Sequence, residues 1–489
     1  VLFRSSNATT AVIKLAPADQ YTSSVVISAG SDTQMNAGAV GTITPDASFT
    51  SGTLKIIDDT GGAGTAAAIA KWNVTASSLA DYALSVASSD LILTATAKTS
   101  AAIGAALGVS DDAGEAAGAA ATMFAGSTTV ADRALRTTFN TVMAAGGAPA
   151  AQLAEQVQGS PDGLSATSGA AVASAGATVV SVGSSRMAAL RTGQAFASAS
   201  GSGFSAGSGS TSNNMWMKPF ASFGKQTERK GVAGYDADTY GIAIGGDTRL
   251  NAHSIVGLSF SYADTDVDSK GAGNAQTDIS SYQATFYTDY TTDKWYVEGL
   301  FGYARNEIGT KRDITFSATS ASADYGSNQY MFSIGGGMPI EVAKNHFFTP
   351  NASFQYTLVE NETYTETGAG VLNLRVDQDE VNVAMGKFGV RYHTHNAMNG
   401  GGTVTPEIRT ALLYDFAGDD GQSTSTFNGG GAAFGVTGAD VVELGYTVGL
   451  GLSYAPLESQ GLTLSANYDM NQKTDFIGHS GNFSLRYEF

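Results

Sequence analysis

The chain has 489 residues, enough for two or three domains, but only 14% of them are charged and 60 are glycine. The formal net charge of -18 argues against a nucleic-acid ligand, because the phosphates of nucleic acid would be repelled. Since the sequence contains no cysteine, a disulfide framework and thiolate chemistry are excluded. No apolar run approaches the roughly 18 residues of a spanning helix, so any part that spans a membrane must be a β-barrel.

The amino-terminal region is rich in Thr, Ser, Ala, Gly and Val. It lacks an initiating Met and a signal segment, so we expect a fragment whose beginning is missing and suspect that residues 1–5 are not native. Short β-like runs separated by Gly- and Asp-rich turns follow up to residue 98. We interpret residues 1–99 as a β-rich fragment, either the end of a β-solenoid or a small β-sandwich.

Residues 100–167 have a helical, alanine-rich composition. Ser110, followed by two aspartates, predicts a helix N-cap with acidic residues in the first turn. Thr128 or Thr129 predicts the cap of a second helix, and Pro149 fits the first residue of a third. Because these helices carry little bulky apolar surface, we expect them to pack on one another or near a barrel mouth.

Residues 168–200 are mostly small, and they include Arg186, Leu190 and Arg191. A helix of about 28 residues would be roughly 42 Å long, which exceeds the roughly 25 Å apolar band of an outer-membrane barrel. Its small side chains would fit a narrow lumen, where the arginines would meet acidic residues. A flexible linker is the alternative, because the glycines weaken helix propensity. Residues 201–212 form a Gly/Ser linker.

From residue 213 onward, apolar and polar residues alternate with a period of two, which predicts about twelve strands. An apolar lipid face and a polar lumen explain this repetition, and short turns alternate with long polar loops. A soluble β-sandwich is the alternative. Both signs of charge fall on the inward rows, which a hydrated lumen tolerates and a dry core does not. The expected lumen-facing residues are Glu407, Arg409, Glu443, Asp469, Arg486 and Glu488.

The order of these features resembles the translocator domain of autotransporters, the type V secretion family. A helix and a Gly/Ser linker lead into a twelve-strand barrel that ends in Asn-Phe-Ser-Leu-Arg-Tyr-Glu-Phe at residues 482–489. Trp216 opens the first strand, Gly-Tyr-Asp stands at 234–236, and Gly-Gly-Asp stands at 245–247. The fold expected from this resemblance is mainly β: a twelve-stranded antiparallel transmembrane β-barrel with an N-terminal pore helix. The expected boundaries are 1–99 for the passenger fragment, 100–167 for the helical junction, 168–200 for the pore helix, 201–212 for the linker and 213–489 for the barrel.

The resemblance implies a route to the cell surface. A signal peptide takes the chain to the periplasm, periplasmic chaperones and the barrel-assembly machinery insert the barrel into outer-membrane lipid, and the passenger crosses to the outside. The pore helix bears Arg186, Leu190 and Arg191. The apolar row of the last strand is the expected assembly signal, formed by Phe483, Leu485, Tyr487 and Phe489. No cofactor or metal is expected, and no phosphate-binding loop motif is present.

Residues 1–200 contain neither His nor Cys, so a Ser-His-Asp triad is impossible there. We therefore expect a passenger that is adhesive or structural and not an enzyme. Two alternatives stay open: a passive outer-membrane channel with a periplasmic N-terminal domain, and the translocator of an enzymatic passenger that has been truncated. A free channel should conduct well, and a plugged translocator poorly.

Three local motifs resemble sites of chemistry, but each has a simpler structural explanation. Asn213 and Asn214 would be a self-cleavage pair, but they lie at the first strand and not in the helix. His393 and His395 would share a strand face as metal ligands, but a site needs more ligands, so we expect a solvated edge. Residues 235–238 lack the glycine and distal glutamate of a calcium loop, so we expect a solvated turn.

Overall fold

The computed structural model describes residues 10–14, 27–29, 40–59, 72–87, 90–126, 129–160, 187, 213–398, 401–418, 420–456 and 462–488. The strands of the N-terminal part are β1 Thr10–Lys14, β2 Ile27–Ala29, β3 Val40–Thr44, β4 Gly52–Asp59, β5 Trp72–Val74, β6 Ala80–Ala87 and β7 Asp90–Ala97.

Parallel pairing organises this N-terminal part. Strands β1, β3 and β5 form one sheet, and β2 pairs in parallel with β4 in another. Thr10 pairs with Val40 and Ile27 pairs with Ile57, both at an offset of 30 residues, and Gly41 pairs with Trp72 at an offset of 31. Parallel strands paired at a nearly constant offset favour the β-solenoid expectation for this part. The antiparallel hairpin of β6 and β7 pairs with β4, and the core contains Ile43, Ile56, Trp72, Leu91 and Leu93.

Four helices follow: α1 Ser100–Leu107, α2 Asp111–Ala125, α3 Val130–Ala145 and α4 Gly147–Gln158. The Ser110 hydroxyl accepts a hydrogen bond from the amide of Ala113, which confirms the predicted N-cap. Helices α1 and α2 cross so closely that a Cβ on Gly114 would lie 2.7 Å from the backbone nitrogen of Gly104. Among the described helices, none combines the length and apolar character needed to cross a membrane.

Twelve long antiparallel strands close into a barrel, in which the last strand pairs with the first and the sixth pairs with the seventh. These strands are β8 Asn213–Gln226, β9 Tyr235–Arg249, β10 Ser254–Ser269, β11 Gln276–Thr291, β12 Tyr296–Ile314, β13 Thr319–Gly337, β15 His346–Asn361, β18 Val381–Thr394, β20 Thr403–Asp415, β23 Leu444–Ala455, β24 Leu462–Lys473 and β25 Phe476–Glu488. The short strands between them are β14 Ile340–Ala343, β16 Tyr364–Thr365, β17 Leu374–Gln378, β19 Asn396–Ala397, β21 Gln422–Phe427 and β22 Phe434–Thr437.

The barrel carries its apolar face outward, as strand β10 illustrates. Leu258 and Phe260 are 48% and 56% exposed, whereas Ser259 between them is 5% exposed. A soluble β-sandwich would bury such a row, so that alternative is wrong. The outward row changes from Tyr262 to Asp264 and further aspartates toward the end of the strand. Tyrosines occupy neighbouring outward positions, with Tyr262 opposite Tyr282 and Tyr303 opposite Tyr330. This band across four neighbouring strands matches the aromatic girdle of a membrane interface.

The two ends of the barrel differ. Short connections, such as residues 250–253 and 292–295, lie at the same end as the first and last strand termini. The long connections 362–380 and 416–443 lie at the opposite end and contain β16, β17, β21 and β22. In outer-membrane barrels the long loops are extracellular. The short strands form a four-stranded antiparallel sheet of their own, which we call the loop sheet.

Candidate functional site in the barrel lumen and at its mouth

A network of charged side chains lines one wall of the lumen. Arg409 on β20 donates two hydrogen bonds to Asp469 on β24, with N–O distances of 2.8 and 2.7 Å. Arg409 also donates to Glu407 at 2.8 Å, and Glu407 accepts from Arg391 on β18 at 2.6 Å. We call these four residues the lumen ion network. Each charge has an opposite partner, which compensates for its partial removal from water.

Glycine on the intervening strand makes this network possible. Strand β23 lies between β20 and β24, and Gly449 is paired with Arg409 on one side and with Asp469 on the other. A Cβ on Gly449 would overlap the Asp469 carboxylate and lie 2.6 Å from Arg409 Nε. The side chains of Arg409 and Asp469 therefore meet across β23 at Gly449, where no side chain stands between them. Sequence analysis missed Arg391 and this glycine, although the alternating glycines of β23 were a visible signal.

The other three predicted lumen residues, Glu443, Arg486 and Glu488, are not part of the lumen ion network. Arg486 is half-buried on β25, opposite the inward-facing Trp216 of β8. Glu488 is the last residue of that strand and is in register with Asn214. Glu443 does not join the network. It precedes β23, is exposed, and accepts a 2.6 Å hydrogen bond from the hydroxyl of the outward-facing Tyr414.

The predicted assembly signal lies on the lipid-facing side as far as the structure describes it. Phe483 is 47% exposed and Leu485 is 41% exposed on β25. Tyr487 is paired with Met215 of β8 through the backbone register. Phe489 lies outside the described residues, and so do Arg186, Leu190 and Arg191 of the predicted pore helix.

One residue of the predicted pore helix is described, and it lies inside the barrel. Met187 is 1% exposed and belongs to a buried cluster of inward-facing side chains from several strands. The cluster also contains Trp216, Phe220, Ala243, Ala263, Tyr287, Leu300, Ala304 and Met331. The barrel interior is therefore filled by packed side chains at the level of Met187.

The Gly-Gly-Asp motif at 245–247 supports this cluster. A Cβ on Gly245 would lie 2.5 Å from the indole ring of Trp216, so only glycine leaves room for that ring. The Trp216 indole donates to the Tyr287 hydroxyl at 2.8 Å, and this hydroxyl donates to the Asp247 carboxylate at 3.0 Å. Asp247 is 5% exposed. The motif thus supplies both space and a hydrogen-bond acceptor.

The mouth at the long-loop end is covered by α1–α4, which we call the junction helices. They share one hydrophobic core with the loop sheet and with the ends of β12 and β13. Its members include Phe124, Phe139, Leu153, Val157, Ile314, Leu374, Phe427, Phe434 and Val436. Beneath it, Tyr364 stacks on Tyr325 with ring centroids 4.4 Å apart. Burial raises the pKa of the Tyr364 phenol well above its usual range.

A buried arginine joins the barrel to this cover. Arg312 on β12 donates to both carboxylate oxygens of Glu366, at 2.7 and 2.8 Å, and both side chains are 5% exposed. The same guanidinium donates to the carbonyl of Gln156 in α4 at 2.6 Å and to that of Leu372 at 3.0 Å. A strand, a loop and a helix that are distant in sequence thus meet at one side chain.

Two local predictions are wrong. His393 is not at a solvated edge but is 6% exposed and stacks on Phe347, with ring centroids 5.1 Å apart, because its strand position points inward. Tyr235 is not in a solvated turn but begins β9 and is 1% exposed. Among the described residues, no group of three or more His, Cys, Asp and Glu is arranged to hold a metal ion.

The family model "Autotransporter beta-domain" matches residues 215–469, over half of the chain. Outer membrane protein A of Rickettsia conorii is 24% identical over 286 residues, which cover 56% of this chain and 14% of that protein. Outer membrane protein B of Rickettsia prowazekii is 25% identical, covering 60% of this chain and 18% of that protein. An extracellular serine protease of Serratia marcescens is 26% identical over 185 residues, which cover 37% of this chain and 17% of that protein.

Among solved structures, the chain is similar to the translocator domain of the autotransporter NalP from Neisseria meningitidis. It has 15% sequence identity and a TM-score of 0.46, covering 63% of this chain and 98% of that chain. The closed twelve-stranded barrel, with its apolar exterior and filled interior, defines an outer-membrane β-barrel protein. The chain belongs to the autotransporter family, and its barrel is the outer-membrane translocator domain of that family. The chain spans less than a fifth of the length of these Rickettsia relatives.

Proposed function

We propose that the barrel carries its own N-terminal passenger to the cell surface and then keeps the segment 168–200 in the lumen. The observation that carries this proposal is Met187, which is buried among lumen-facing side chains. Gln158, the last residue of α4, lies at the long-loop mouth. Gln158 at the mouth and Met187 inside the barrel are the positions expected of an exported chain that stays attached.

Charge complementarity supports the same segment as a plug. Arg186 is adjacent in sequence to Met187, and Arg191 follows four residues after it. The lumen wall carries Asp247 and Asp289, which are 5% and 1% exposed. Buried carboxylates need a positive partner or several hydrogen bonds. Each already accepts a hydrogen bond, from Tyr287 and Thr291 respectively, and we propose that Arg186 and Arg191 add positive charge beside them.

The position of the junction helices favours export over the passive-channel alternative. These helices pack on the loop sheet, at the end where outer-membrane barrels carry their extracellular loops. A periplasmic N-terminal domain would lie at the short-turn end instead. The passenger end is therefore expected outside the cell.

We infer that the passenger is adhesive or structural. A β-solenoid with parallel ladders offers an extended binding surface, and residues 1–200 contain no His or Cys for a triad or thiolate nucleophile. The Serratia relative is by name a serine protease, so upstream sequence decides whether an enzymatic domain precedes residue 1. The barrel-assembly machinery and periplasmic chaperones are the partners that insertion requires.

Protease treatment of intact cells tests the proposal. The chain is expressed behind a signal peptide with an epitope tag before Asn7, and whole cells are treated with protease. Export predicts that the tag is lost while the barrel is retained. A tag that is protected until the outer membrane is opened would favour the channel alternative with a periplasmic domain.

A further inference from the structure

The junction helices that cover the mouth pack tightly against the loop sheet. The loop sheet and the junction helices contribute to one buried core, in which Phe124 and Phe434 are 0% and 1% exposed. Backbone contacts are equally close. A Cβ on Gly431, in the connection between β21 and β22, would lie 3.0 Å from the carbonyl oxygen of Ala119 in α2. Contact at this distance fixes α2 against the loop sheet.

Polar contacts fix the last turn of α4 to several barrel connections. Besides the Arg312 contact to its carbonyl, the Gln156 side chain donates to the carbonyl of Ala272 at 3.0 Å. Its amide oxygen accepts from the backbone nitrogen of Thr315 at 3.1 Å. Gln156 is 3% exposed. One helix end is thus bonded to the connections after β10 and β12, and through Arg312 to Glu366 in the connection after β15.

A cavity lies beneath this cover, bordered by both the barrel and the covering elements. It is lined by Thr277 and Thr310 from the barrel, Gln158 from α4 and Tyr364 from the loop sheet. Thr277 lies near the long-loop end of β11, where an open barrel mouth would be in water, yet it is only 3% exposed. Its burial shows that the mouth is covered at this position of β11.

We propose that the junction helices and the loop sheet form a lid that shuts the extracellular mouth, and that Arg312, Glu366 and Gln156 are its latch. The inference rests on the proposed export direction. The lid is complete only when α1–α4 are outside the barrel, so the mouth closes after the junction has emerged. Because the latch pair is buried, breaking one side leaves an uncompensated charge and opens the lid.

Labelling of a single cysteine measures whether the lid is shut. The native sequence has no cysteine, so a Thr277→Cys variant of the full chain reports access to the space beneath the lid. Intact cells are treated with a membrane-impermeant maleimide. We expect protection in the otherwise unchanged chain. With Arg312→Ala added, labelling should be roughly 100-fold faster, the factor that follows from losing a buried ion pair.

Two further variants make the test specific. Gln156→Ala lies on a helix outside the barrel. It keeps the carbonyl that Arg312 contacts but removes the side-chain hydrogen bonds to Ala272 and Thr315, without altering a barrel strand, and it should also increase labelling. Arg305→Ala removes an exposed pair on the same strand and loop, Arg305–Glu362 at 2.7 Å, with side chains 39% and 52% exposed. It should leave Thr277→Cys protected, because exposed pairs contribute little.

The outcomes separate the lid from the export proposal. Lys230→Cys, in the long-loop connection after β8, reports which end of the barrel is outside. If it is labelled on intact cells, the direction holds. The lid proposal is then contradicted if Thr277→Cys reacts as fast as Lys230→Cys. It is also contradicted if Thr277→Cys stays protected in both the Arg312→Ala and the Gln156→Ala variants. If Lys230→Cys reacts only after the outer membrane is opened, the export direction is wrong and the lid falls with it.

Discussion

Gly449 is the residue over which the two charged side chains of the lumen wall meet. We expect Gly449→Ala to separate Arg409 from Asp469, because the added methyl group would occupy the place of the ion pair. The free energy of unfolding should fall by about 1–3 kcal/mol, the usual cost of unsatisfied polar groups. Thermal unfolding of the purified barrel measures the change. Gly299→Ala is the control, since its Cβ would meet only Thr288 at 3.5 Å. Equal thermal stability of the two variants would contradict this explanation.

The hydroxyl of Tyr287 is a second test at the residue scale. Tyr287→Phe removes the acceptor for the Trp216 indole and the donor for Asp247. Two buried polar groups then lose a partner, which should cost about 1–3 kcal/mol of stability. Tyr282→Phe, at a 50% exposed outward position, should be nearly silent in the same unfolding measurement. A silent Tyr287→Phe would mean that the cluster is held by packing alone.

At the scale of elements, β25 closes the barrel by pairing with β8. Phe483 and Leu485 continue its lipid-facing row, and by period Phe489 extends that row at the last position. Deleting Phe489 should therefore lower the amount of assembled barrel in the outer membrane. The heat-dependent gel shift of folded barrel quantifies assembly. Deleting Gly207 from the Gly/Ser linker is the control. Unchanged yield after loss of Phe489 would refute its role.

The sequence predicted the long elements better than the short ones. Barrel strands of 12 to 19 residues repeat a period of two often enough to be unmistakable. The loop sheet escaped detection because β22 has four residues and β21 six, within stretches that look like polar loops. The offset of about 30 residues between the parallel strands was not visible in the sequence, because the paired residues differ, as with Thr10 opposite Val40.

The polar contacts of the site were the least predictable. Glu407, Arg409 and Asp469 could be chosen from alternation alone, because charges on a polar row face a lumen. Arg312 could not, since its partners Gln156 and Glu366 lie 156 and 54 residues away. Only the closed barrel and the docked helices bring them together, and no local pattern encodes that distance.

At the scale of the whole molecule, the described regions are arranged in order from the outside of the long-loop mouth to the barrel interior. The solenoid-like part and the junction helices lie beyond the long-loop end, the loop sheet receives the helices, and Met187 lies inside the barrel. This arrangement is what a chain would leave behind after passing outward through its own barrel. The account therefore depends on which end of the barrel faces the outside of the cell.

Single-cysteine labelling at the two ends of the molecule tests that claim most directly. Thr137→Cys lies on the exposed side of α3, and Asp293→Cys lies in the short turn between β11 and β12. With an impermeant maleimide on intact cells, Thr137→Cys should be labelled and Asp293→Cys should react only after the outer membrane is opened. The reverse pattern would place the junction in the periplasm and contradict export through the barrel.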